Sequence, residues 1–110
     1  MNINKEEKYV TITPKADTVF TDFFQQFNNA TDHYLKDNLI LDFSNFNISV
    51  NELNKFNEIS EKKIELGTSF VIIKKEIDLD QIPDELIVVP TFQEAIDMIE
   101  MDEMTRSLDF

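Results

Sequence analysis

The chain predicts an α/β domain, with a mixed, mostly parallel sheet of four to five strands and helices packed on it. Three observations carry that expectation. Short runs rich in β-branched residues alternate with segments whose apolar residues recur every three or four positions. Two capping boxes, Ser49-Val50-Asn51-Glu52 and Thr91-Phe92-Gln93-Glu94, mark helix starts. The one glycine, Gly67, falls where a helix should end.

The elements follow in order. Ile3 and Tyr9-Val10-Thr11-Ile12-Thr13 have strand character, with a short hairpin through Lys5-Glu6-Glu7 and a stop at Pro14. Phe20, Phe23, Phe24, Phe27, Thr31, Tyr34 and Leu35 trace one helix face, with Thr18 or Thr21 as the cap. Asn38 to Phe43 has a continuous apolar centre, as a strand covered on both faces requires. The helix capped by Ser49 runs on with Leu53, Phe56, Ile59, Lys63 and Leu66 facing one way, and Gly67 closes it. Ser69 to Ile73 is a buried strand, and Leu79 to Ile82 make a helical turn before Pro83. Leu86 to Val89 is the last strand, stopped by Pro90, and Thr91 opens the final helix.

A length of 110 residues suits one domain with one core, and ten Phe supply large buried surfaces. No cysteine is present, which excludes disulfides, thiolate metal sites and cysteine nucleophiles. The polar start, Met1 to Lys8, is not a secretory signal, and no apolar run approaches the ~20 residues that span a bilayer. The expected location is the cytoplasm.

The net charge of −12 is unevenly placed. Residues 1–75 hold eleven acids and nine bases, whereas residues 76–110 hold eleven acids and Arg106 alone. That end repels nucleic acid and anionic membrane surfaces. Neither is expected as a partner. Solubility is one role for such acidity, and a basic protein partner is the other.

The stretch Leu39-Ile40-Leu41-Asp42-Phe43-Ser44-Asn45-Phe46 resembles a strand of the STAS family, the fold of bacterial anti-sigma factor antagonists. The element order over roughly residues 8–100 is similar as well. The resemblance implies a regulatory, non-catalytic module for protein–protein interaction. It divides the chain into a STAS-like domain at 1–100 and an acidic C-terminal helix extension of that domain at 101–110. In that family an Asp-Ser-Ser-Gly-like turn carries a phosphorylated serine. Here the stretch is Ile48-Ser49-Val50-Asn51-Glu52, without the Gly, and Ser49 is the hydroxyl left near the turn. Ser49 is therefore a candidate helix cap or phosphoacceptor, and a phospho-switched antagonist is the alternative function.

The segments Val89 to Ala95 and Glu103 to Leu108 also resemble small stand-alone STAS-like proteins, some of which carry a ribonuclease Z label. A two-zinc hydrolase of that type needs several His beside Asp, and this chain has one His, His33. An enzyme is not expected, and no residue pattern calls for a catalytic group, a metal or another cofactor. Asp78 to Glu85 imitates a calcium loop, but Ile82 and Pro83 occupy positions that need an oxygen ligand and a glycine. One glycine also excludes a glycine-rich phosphate loop. A small-ligand binder or enzyme is the remaining alternative.

The last helix has two apolar faces. Phe92, Ala95, Ile96 and Ile99 share one, and Met101, Met104 and Leu108 share another, roughly opposite. A straight helix buries the first stripe and leaves the second free for a protein partner or a homodimer. A bend near Glu100 would remove that distinction.

Overall fold

The computed structural model describes residues 1–108. Asp109 and Phe110, the end of the expected 101–110 extension, lie outside the described residues. Strands Asn2–Lys5 (β1) and Val10–Thr13 (β2) form the N-terminal hairpin, closed by Glu6 N–H donating to the Tyr9 carbonyl at 2.9 Å. Then come Phe20–Ala30 (α1), Leu39–Asp42 (β3), Val50–Leu53 (α2), Asn57–Leu66 (α3), Phe70–Ile73 (β4), Ile87–Val89 (β5) and Phe92–Leu108 (α4). The sheet order is β1-β2-β3-β4-β5, antiparallel between the first two strands and parallel thereafter. This is the α/β architecture expected from the alternation of patterns.

Strand periodicity divides the core into two layers. Val10, Ile12, Leu39, Leu41, Phe70 and Ile72 face α1, α2 and α3. Ile40, Val71 and Ile73 face α4 through Ala95 and Ile99. Both sides of β3 and β4 are covered, which is why their sequences are unbroken apolar runs. Phe56 is the hub of the larger layer. Its ring lies 5.2 Å from that of Phe24, 5.4 Å from Phe27 and 5.7 Å from Phe43, centroid to centroid. Such edge and tilted pairs add to simple area burial.

Four local expectations are corrected. Neither Thr18 nor Thr21 caps α1; the N-cap is Val19, without a side-chain bond. The register is set by burial of Phe20, Phe23 and Phe27, which leaves Thr18 one residue too early and Thr21 inside the first turn. The stripe to Tyr34 is likewise not all α-helix, because Thr31–Tyr34 tightens into a 3₁₀ turn. Thr31 Oγ1 donates back to the Phe27 carbonyl at 2.7 Å there.

The helix after Ser49 is also not continuous. A 3₁₀ turn, Asn54–Phe56, separates α2 from α3. Asn54 opens it and Asn57 follows it, and asparagine is a poor helix-interior residue. Leu53, Phe56, Ile59 and Lys63 are buried as expected, but Leu66 is 51% exposed. It sits in the last turn of α3, where Gly67 at φ +76° reverses the chain.

Candidate functional site

Helix α4 begins where Pro90 stops β5 and Thr91 offers a cap. Thr91 Oγ1 accepts the Glu94 N–H at 3.2 Å, but the Glu94 carboxylate takes the Thr91 hydroxyl rather than its backbone N–H. Half of the expected capping box is therefore built. From there α4 runs unbroken for 17 residues through Glu100.

Its inward side has two parts. Ala95 and Ile99 seal against Ile40, Val71 and Ile73, and Phe92 meets Tyr9 edge-on with ring centroids 5.9 Å apart. One turn further, the same face becomes polar. Ser69 Oγ donates to Asp102 Oδ2 at 2.7 Å, and Asn38 Nδ2 donates to Glu103 Oε1 at 2.8 Å. Arg106 donates to the Gly67 carbonyl and to Ser69 Oγ. Asn38 ties the group to the sheet, donating to the Lys8 carbonyl at 3.0 Å and accepting the Ser69 N–H at 2.9 Å. These contacts hold the second half of α4 down where no apolar sheet surface remains.

With the inward side latched, the opposite stripe stands in solvent. Met101, Met104 and Leu108 are 62%, 65% and 77% exposed. Glu94, Asp97 and Glu100 are exposed beside them. A recess of about 440 Å³ lies against Met104, bordered by Lys8, Glu100, Glu103 and Ser107.

Ser49 lies in the other layer, so it does not join the α4 stripe. Its Oγ accepts the Glu52 N–H at 3.2 Å, while its own N–H donates to Glu52 Oε1 at 3.0 Å. The capping box is complete. A second exposed hydroxyl stands in the same β3–α2 loop, where Ser44 donates its O–H and N–H to Asp42 Oδ1. Lys74 braces the loop by donating to the Phe46 carbonyl at 2.8 Å.

Lys63 is fully buried. Its ammonium donates to the carbonyls of Tyr34 at 3.0 Å, Leu35 at 3.4 Å and Asp37, the open end of the 3₁₀ turn that follows α1. Burial pushes its pKa down to about 8, against the upward pull of Asp37 and with a further downward push from Arg106. With three acceptors and no exposed surface, it works as a staple between α3 and the α1–β3 connection.

His33 is exposed on that 3₁₀ turn. Asp78 spends its carboxylate on its own loop, accepting from Asp80 N–H at 3.1 Å and Gln81 Nε2 at 3.0 Å. Among the described residues no group of three or more His, Asp or Glu could hold a metal ion, and no helix is long and apolar enough to cross a membrane.

Sequence reasoning missed the polar half of the α4 contact. The signal was there: Ile99, Asp102, Glu103 and Arg106 continue the spacing of Phe92, Ala95, Ile96 and Ile99. Their charge concealed their inward direction.

No protein-family model matches the chain, and no curated protein matches it.

Proposed function

We propose that the chain is a non-catalytic protein-interaction module of the STAS type, regulatory in kind, which docks a protein partner through the outward face of α4. The STAS assignment is supported by the element order and by the Leu39 to Phe46 stretch. The docking role rests on one observation: Met101, Met104 and Leu108 form an exposed stripe on a helix whose other side packs on the sheet through Ala95 and Ile99. Solvent-facing Met and Leu at helical spacing contribute nothing to this domain's core. Methionine adapts to irregular partner surfaces.

The combined variant Met101→Ser, Met104→Ser, Leu108→Ser tests the role. It should keep the parent's thermal unfolding midpoint and lose proteins that the parent captures from its native cell extract. An identical captured set with both proteins would sink the proposal. The phospho-switched reading has less support. A phosphate on Ser49 would place charge beside the Glu52 carboxylate that completes the cap.

A further inference from the structure

We infer that the outward face of α4 receives a basic amphipathic helix of a partner protein. The inference rests on the docking reading above and specifies the chemistry of the occupant.

Shape comes first. Residues 101, 104 and 108 are spaced by three and four, so their side chains form one stripe along about two turns, roughly 10 Å. A straight, narrow apolar stripe matches the apolar stripe of another helix.

Charge then selects among helices. Glu94, Asp97 and Glu100 stand exposed around the stripe. The sole base of α4, Arg106, is turned away into its bonds with Gly67 and Ser69. The recess beside Met104 is bordered by Glu100 and by Glu103, one oxygen of which already accepts from Asn38. A lysine or arginine fits such a place, with its aliphatic stem on Met104 and its charged head at the exposed Glu100. Lys8 at the rim offsets part of that negative charge.

The same charges argue against a second copy. Each chain carries −12, and pairing two α4 faces sets acid rows against each other.

The test uses synthetic helical peptides of about 18 residues, some five turns. One carries a leucine stripe among lysines. A second has glutamates in place of the lysines, and a third keeps the lysine composition with the leucines scattered. Binding is followed by fluorescence anisotropy and by methionine methyl signals of the full chain. The lysine–leucine peptide should bind and move the methyls of Met101 and Met104 but not of Met1. Its affinity should fall about tenfold or more with the serine triple variant, and similarly with Asp97→Lys plus Glu100→Lys. Salt should weaken it.

Equal binding of the glutamate peptide overturns the basic-partner inference and leaves the docking face standing. So does equal binding of the scattered peptide without methyl shifts, which marks diffuse charge attraction. A dimer in sedimentation that the triple variant abolishes, with no peptide bound, makes a second copy the occupant. Absence of peptide binding, of a dimer and of any change in captured proteins overturns the inference and the docking reading together.

Discussion

The hydroxyl of Ser69 donates to Asp102 at 2.7 Å, joining the residue before β4 to the second half of α4. The bond lets α4 continue past the apolar part of the sheet with its Met101–Leu108 stripe facing outward. It acts beside the bonds of Glu103 to Asn38 and of Arg106 to Gly67 and Ser69, while Ala95 and Ile99 bury the first half of the helix.

Asp102→Ala should therefore loosen the end of the helix without unfolding the domain. The variant loses the bond to Ser69, and also a 3.9 Å ion pair with Arg106 whose half-exposed partners contribute little. The expected cost is about 1 kcal/mol. Amide hydrogen exchange should accelerate over residues 103–108 and stay slow in β3 and β4. Unchanged exchange at the helix end would show that the latch does not hold it.

Ser49 separates a cap from a switch. Ser49→Ala should lower stability by about 1 kcal/mol in urea unfolding, and Ser49→Asp by much less, because Asp also accepts the Glu52 N–H. Equal losses in both variants would contradict the capping role. They would show that the hydroxyl itself is required.

Lys63 gives the protein a pH-dependent term of definite sign. Its pKa is about 8 in the folded chain, against 10.5 as the ordinary value. Below pH 8 both states hold the proton, and the cost of burying it is fully present. Between about 8 and 10.5 the folded chain gives up a proton that the unfolded chain keeps, so stability rises with pH. Relative to Lys63→Met, which cancels the other titrating groups, the gain across that window should be on the order of 3 kcal/mol. Urea midpoints of both proteins at pH 7.5 and pH 10 measure it. A difference that shrinks with rising pH would show that the three carbonyls outweigh burial.

Several features were legible because their causes lie within one or two turns of chain. The Ser49–Glu52 box needs residues three apart, and Gly67 needs only its own backbone. The unbroken runs at β3 and β4 announced coverage on both faces. Of the two stripes of α4, Met101, Met104 and Leu108 are exposed as expected, whereas the inward stripe is buried only at Ala95 and Ile99, with Ile96 half-buried and Phe92 39% exposed.

The α1 start, the 3₁₀ break before α3 and the polar latch were not legible in that way. Lys63 keeps the spacing of a helix face, yet its acceptor at Asp37 lies 26 residues away. Glu103 lies in an acidic stretch, and its partner Asn38 is 65 residues earlier in the chain.

The sequence by itself determined the alternation of strands and helices, the apolar runs covered on both faces and the concentration of acid near the C-terminus. These depend on periodicity, capping and composition, which act locally. Only the tertiary structure decided which charged residues of α4 turn inward and which apolar ones remain in water. That choice depends on what the sheet presents beneath each turn. Ile40, Val71 and Ile73 accept apolar side chains from the first half of α4, whereas Asn38, Gly67 and Ser69 offer hydrogen bonds to the second.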